Sequence, residues 1–562
     1  MNELVLPQSF PDNDYTPHGY IDNPYHTMVF NRSGVLRSAP PLGFGYWLKR
    51  FRGTYGSGAR GHVNYLSLMQ VAVAVDDIRL ATADDFAAQR IRLGSKYHTK
   101  HMLSYDWMCA GLVFSLRYFL AREHALVCRV EVRNTLPTPR EVHLHVTNTY
   151  GLWDAPWWGS NGLAGRYVAE HDAAVSAIWA YGDYFALGSD LPSIAHKATG
   201  SANDWAGWLR DNNLDSCDGA SLHGPGPLHN VLSYRLSVPA NDSAGLLLCL
   251  ARGPNEAWAL EELETGLRQA LPTLEQQLDE DESFWGSCPR LVGDWPELWK
   301  RGWVYDFETL RMNVRRPVGI FKHPWDAMQV HSPRSVLGEA AVDMLTLSYA
   351  DPATAKQVLL GTFVDAPAPN VPCTREDGSM NMIAADGHAC GTAPSWCFPF
   401  HIIESLYAAT GDDQWLTELY PYLKSYLEWW FANRTDVAGW FHCKCDWESG
   451  QDGSKRFPDV EGGAAETVRT VDVEASVAEA LRLMARFCEL ADVPEDRPYW
   501  TKLAEKRAVA VQRMFVDGWF YDIDSRTDTP IRLDYLDAMM LSPLTCRVAT
   551  PEQIAALRPK FQ

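Results

Sequence analysis

The feature that most constrains this chain is a change in hydrophobic period near residue 255. Before it, apolar and polar residues alternate, as in Cys128-Arg129-Val130-Glu131-Val132-Arg133 and Val142-His143-Leu144-His145-Val146. Successive side chains of an extended chain point to opposite sides, so each run is a strand with one buried face. Asn134-Thr135-Leu136-Pro137-Thr138-Pro139 between them supplies the chemistry of a reversing connection. Further strands are expected at 44–51, 63–75, 112–119, 232–238 and 244–251, which predicts an antiparallel β-sandwich over 1–254.

From 255 the spacing shifts to three and four residues. The Leu- and Glu-rich stretch 255–293 reads as a helical linker, and 294–562 as a succession of helices. Eight are expected, near 295–312, 333–349, 352–363, 395–410, 413–432, 473–491, 495–515 and 551–561. Asp351-Pro352 is a helix start, Thr550-Pro551-Glu552-Gln553 has capping-box spacing, and Gly411-Asp412 closes one helix and opens the next. Repeated hairpins of this kind build an (α/α) toroid.

With 562 residues the chain exceeds what one core fills, so two domains fit its length. A formal charge of -20 repels phosphate backbones and anionic lipid, which argues against nucleic-acid and membrane partners. The start has no basic segment followed by an apolar run, so a cytoplasmic protein is expected. The twelve cysteines are scattered, and the closest pair, Cys443 and Cys445, lacks zinc-site spacing; reduced thiols are the expectation. His323, His331, His388, His401 and His442 are too dispersed in sequence to argue for zinc. No metal is assigned, and structural calcium has no nameable ligands. The 22 Trp, 23 Tyr and 21 Phe would serve a saccharide pocket, whose sugars stack on aromatic faces, or a large aromatic core and interfaces. The Trp153-Asp154-Ala155-Pro156-Trp157-Trp158 run reads as an aromatic loop.

Chemistry concentrates in Cys445-Asp446-Trp447-Glu448-Ser449-Gly450-Gln451-Asp452-Gly453-Ser454-Lys455-Arg456-Phe457. Glycines allow tight turns, three acids supply carboxylates and Trp447 offers a stacking face. On residue types alone this is either an acid–base loop or a cation loop, although EF-hand spacing fails.

Glu448-Ser449-Gly450-Gln451-Asp452-Gly453-Ser454 resembles the ESGxDxS signature of trehalases and of glycoside hydrolase family 63. Trp325-Asp326, Gly391-Thr392-Ala393-Pro394-Ser395-Trp396 and Val471-Asp472-Val473-Glu474-Ala475 extend the resemblance over roughly 300–540. It implies a six-hairpin glycosidase acting on a small saccharide, without cofactor, by inversion. Asp452 would be the general acid, with Trp325, Asp326, Arg375, Glu376, Trp396, Trp447, Glu448, Gln451 and Arg456 lining the sugar subsite. Helix packing accounts equally for Trp325 and Trp396, and a helix cap for Asp326. Gln451 stands where relatives often carry an aromatic, and Glu474 where they carry Asn. The relatives' base is a late Glu in a twelve-helix toroid, so the expectation is that the last helices and the base lie beyond Gln562. Otherwise Asp326, Glu376, Glu448, Glu466 or Asp472 would serve. A phosphorylase, a rhamnosidase-like or arabinofuranosidase-like enzyme, or a non-catalytic saccharide-binding protein are the alternatives.

Overall fold

The structure is a computed structural model that describes residues 18–22, 27–31, 45–48, 62–65, 67–81, 83–91, 99–122, 124–152, 162–178, 183–217, 219–223, 226–328, 334–457 and 464–561. The aromatic loop 153–158 and His331 lie outside the described residues. The chain divides into two compact units, Met1–Met312 and Asn313–Gln562.

The first unit is built on antiparallel sheets. A five-stranded sheet runs in the order Ala195–Thr199, Gly226–Val238, Arg140–Leu152, Ser67–Val75, Ile78–Leu80. An eight-stranded sheet runs Gly219–His223, Gly162–Val168, Ala173–Ile178, Asp183–Ser189, Ser243–Gly253, Ala125–Asn134, Leu112–Arg122, Met102–Cys109. Four short strands from His18–Asp22 to His62–Tyr65 make a third sheet. Period-two alternation sets the register, with Val142 opposite Leu236 and Val146 opposite Leu232. These four share one core cluster with Cys128, Val130 and Val132 of the other sheet, while Arg129 and Glu131 between them stay partly exposed.

The strand Ser243–Gly253 is apolar on both faces because both are covered. Leu246, Leu248 and Leu250 enter the core between the sheets. Leu247, Cys249 and Ala251 pack instead against Ala259, Leu263, Ala270 and Leu274 of a long helix. The unit's helices are α1 (Ala83–Ala88), α2 (Ala202–Asp211), this long α3 (Glu256–Ser287) and α4 (Glu297–Asn313). Gly266 lets α3 come close: a Cβ there would lie 2.7 Å from that of Ala125.

The stretch expected as a linker over 255–293 is therefore mostly a helix laid on the sheet. Buried charge explains why this unit runs on to Met312. Asp281, fully buried, meets His101 Nδ1 and Arg311 Nη1, each at 2.8 Å. Glu308 accepts from Trp285 Nε1 at 2.9 Å, Arg311 at 3.1 Å and the Lys100 backbone N–H at 2.7 Å. These bonds fasten α4 to α3 and to the sheet's edge, and leaving such groups unpaired would be costly.

The second unit is helical: α5 (Leu337–Leu347), α6 (Pro352–Val364), α7 (Pro399–Thr410), α8 (Asp413–Asn433), α9 (Asp446–Ser449), α10 (Val471–Leu490), α11 (Arg497–Arg513), α12 (Ser542–Thr545) and α13 (Pro551–Leu557). The punctuation read from sequence is in place. Asp351 accepts from the Thr354 N–H, Asp412 from the Trp415 N–H, and Thr550 and Gln553 close a capping box. Gly411 ends α7 in the left-handed region at φ 62°.

α5 pairs with the following α6 and α10 with the following α11, whereas α8, which follows α7 directly, packs against α6 and α10 and not along α7 as the sequence led one to expect. α7 also neighbours α5 on one side and α10 on the other. α10 is buried without a break from Val471 to Leu481, as befits an inner helix. Two of the acids in that run are paired, Asp472 with Arg456 and Glu474 with Arg507. Among the described residues no helix is long and apolar enough to cross a membrane.

Candidate active site

The acid-rich loop between α8 and α10 folds around Asp446. Its Oδ1 accepts from the Trp447 N–H at 2.9 Å and its Oδ2 from the Gly453 N–H at 2.7 Å, pulling the far side of the loop back. Ser449 Oγ donates to the Asp446 carbonyl at 2.6 Å and accepts from the Gln451 N–H at 3.1 Å. Gly450 reverses the chain at φ 74°, and a Cβ on it would strike the Trp396 ring at 2.6 Å. Asp452 sits exposed beyond this reversal, immediately before the Gly453 N–H that Asp446 holds.

Glu448, one residue from the reversing Ser-Gly pair, faces the other way. It is fully buried and takes a two-pronged ion pair from Arg434, Nε to Oε2 at 2.8 Å and Nη2 to Oε1 at 2.9 Å. The backbone N–H groups of Gly391 and Lys444 complete its shell at 3.0 and 2.7 Å. Expected in the sugar subsite, Glu448 is instead the anchor joining this loop to the α8 end and to the Gly391 segment. Gln451 and Arg456 also turn inward. Arg456 is buried between Asp472 and Asp522, and its Nη1 donates to Gln451 Oε1 at 2.7 Å.

Around Asp452 the structure gathers acids from other elements. Asp326 lies just upstream of α5, and Glu339 and Asp343 one turn apart on α5 itself. Asp326 is buried; burial first, then the charges of Asp343 and Glu339, hold its carboxyl well above the usual range. Asp343 is also raised, by burial. Glu339 is pushed up to about 7, mainly by burial and further by Asp343 and Asp452, against Arg334. Cys373 marks the cationic side, being close enough to Arg334, Arg375 and Glu339 to feel all three charges. Of the expected set, Asp326 and Asp452 each act on or feel Glu339, and Arg375 shares the Cys373 surroundings with it.

The tryptophans divide. Trp325 is buried, stacks on Phe321 with centroids 4.5 Å apart and donates from Nε1 to the Arg316 carbonyl, so it is packing. Trp447 packs beside Ala384, Cys390 and Cys445. Trp396 fills the gap between Gly338, next to Glu339, and Gly450, two residues before Asp452, and so spaces the two carboxyl-bearing segments. Glu376 is buried, and its carbonyl accepts from the Ile320 N–H at 2.8 Å. Of the carboxylates considered as a base, Glu448 and Asp472 are closed in ion pairs, and Glu466 pairs with Lys444 at 2.8 Å.

Sequence reasoning missed Glu339, Asp343 and Arg334. A signal existed: Gly338-Glu339-Ala340-Ala341-Val342-Asp343-Met344 sets two acids on one face of an otherwise apolar inner helix. Glu339 carries a pH prediction. Its folded carboxyl holds a proton between about 4.5 and 7 that the unfolded chain has released, so stability falls as pH rises through that window. Glu339→Gln has no such proton, so relative to wild type it should gain about 2–3 kcal/mol between pH 4 and pH 8. Urea unfolding at the two pH values checks this; an equal difference at both contradicts it.

Residues 391–561 match the family model of the mannosylglycerate hydrolase MGH1-like glycoside hydrolase domain. Among solved structures, a bacterial glucoamylase complexed with acarbose aligns over 97% of this chain and 76% of its own, at 10% identity and a TM-score of 0.55. At that identity the likeness speaks for the fold. The GH63 mannosylglycerate hydrolase from Thermus thermophilus, in complex with glucose, aligns over 45% of this chain and 74% of its own, at 17% identity and a TM-score of 0.36. No curated protein matches the chain.

Proposed function

We propose that this chain, a glycoside hydrolase of the six-hairpin type, cleaves an α-linked glycoside of a small saccharide by inversion, with Asp452 as general acid. The observation that carries the reading is the loop geometry. Asp446, Ser449 and Gly450 turn Asp452 outward, while Glu448 and Arg456 are spent inside as anchors. An exposed carboxyl on a rigid support, close enough to Glu339 for the two to influence each other, is placed to deliver a proton to a bound sugar.

In the reaction Asp452 protonates the glycosidic oxygen as its bond to the anomeric carbon breaks. Water attacks from the opposite face of the sugar, its proton passing to a second carboxylate that inversion requires about 6.5–9.5 Å from the first. Asp326 and Arg375 supply hydrogen bonds to sugar hydroxyls. The first unit is read as a β-sandwich from its shared inter-sheet core, and the second as hairpins of an (α/α)6 toroid. All twelve cysteines are free thiols and ten are buried, which supports a cytoplasmic location.

The test is a panel of α- and β-linked disaccharides together with mannosylglycerate, each with and without inorganic phosphate. The expected result is phosphate-independent hydrolysis of an α-linked member, with the β-anomer appearing first by proton NMR. Strict phosphate dependence would make the chain a phosphorylase, and saturable binding of sugars without turnover a saccharide-binding protein; either overturns the proposal.

A further inference from the structure

A second cluster of reactive side chains lies on α7 and α10. His401 and Glu404, three residues apart, share one face of α7, and Glu479 meets them from α10. One ligand atom from each lies within 4.8 Å of the other two. Glu479 is 2% exposed, yet its Oε1 has no hydrogen-bond partner among the described residues, and neither has His401 Nδ1. These two atoms face each other at 3.5 Å. That is close to the ligand–ligand edge, about 3.4 Å, of a tetrahedral site with bonds of about 2.1 Å. A buried carboxylate oxygen and an imidazole nitrogen that converge without a hydrogen bond to either atom leave room for a cation between them.

We infer that His401, Glu404 and Glu479 bind a divalent transition ion of the zinc class, clamping α7 to α10. One imidazole and two carboxylates form a borderline donor set that suits Zn²⁺ better than Ca²⁺ or Mg²⁺, which take six or more oxygens. The surrounding charges permit it. Arg486 lies 3.0 Å from Glu404 and Arg482 3.6 Å from Glu479, but these two side chains are about half exposed and can turn to solvent when the ion enters. Cys546 is buried beside Glu479 and hydrogen-bonded to its carboxylate; burial, then the Glu479 charge and this bond, raise its thiol well above the ordinary range. The site escaped sequence reasoning because its partners are two glutamates, one of them on another helix, and no second histidine or cysteine.

The test titrates Zn²⁺ into chelator-treated protein by calorimetry and follows Tm. Wild type should bind one Zn²⁺ per chain, with Tm rising by about 5 °C at a hundredfold excess over Kd. His401→Gln and Glu404→Gln change partly exposed residues, so both variants should fold, and each should bind at least about tenfold more weakly. Zn²⁺ binding that is equal in wild type and the double variant overturns the inference. So does a site that the same variants abolish for Ca²⁺ but that takes no Zn²⁺.

Discussion

Asp452→Asn should lower the rate of glycoside hydrolysis by about 10²–10⁴-fold, the usual contribution of a positioned general acid, with little change in KM or in thermal stability. The bonds that shape the loop are made by Asp446, Ser449 and the Gly453 backbone N–H, so an isosteric amide at 452 leaves that frame standing. What is lost is a transferable proton. The loss should fall on kcat, because the proton moves only as the glycosidic bond breaks. The alkaline limb of the pH–rate profile, which reports ionisation of the acid, should disappear with it. Steady-state kinetics from pH 4 to pH 9, with circular dichroism melts on the same preparations, separate these effects. A variant that keeps wild-type kcat removes Asp452 from the mechanism.

Arg434→Ala should cost about 3–5 kcal/mol of stability, the range for removing one partner of a buried ion pair. Glu448 would keep its charge in a fully buried site with only the Gly391 and Lys444 N–H groups to meet it. Arg434 also lies over the Trp429 ring, its guanidinium carbon 4.6 Å from the centroid, so packing is lost along with charge. Glu448→Gln should cost less, since an amide still accepts and leaves no unpaired anion. Replacing both partners by Met and Leu should recover much of the loss, because the penalty arises from the orphaned charge and not from the pair itself. Chemical unfolding of the three variants orders them. Arg434→Ala within about 1 kcal/mol of wild type would contradict the anchor role given to Glu448.

Much of the fold was legible because it depends on side-chain period, a local property. Val142, Leu144 and Val146 declare one strand face, and Asp351-Pro352 or Gly411-Asp412 declare helix ends, without reference to anything distant. The role of 255–293 was not legible. Its apolar stripe marks a helix, but only the far face of the Ser243–Gly253 strand shows what that stripe covers. The acid loop was found for the same local reason, its residue types and glycines. Which of its side chains face out was hidden. Glu448 is an anchor because Arg434 is fourteen positions away, and Arg456 because Asp522 is sixty-six away. Glu339 was overlooked because its signal, two acids on one face of an apolar helix, does not say which distant charges that face meets; Asp452, one of them, is over a hundred positions away.

The central claim, that Asp452 delivers the leaving-group proton, is tested most directly by leaving-group dependence in Asp452→Asn. Two glycosides of the same sugar are compared in wild type and variant, one with a sugar or alkyl aglycone and one with 2,4-dinitrophenol, which departs without protonation. The account predicts that kcat/KM falls by about 10²–10⁴-fold for the first and by less than about tenfold for the second. Equal losses on both substrates, or none on either, would contradict it.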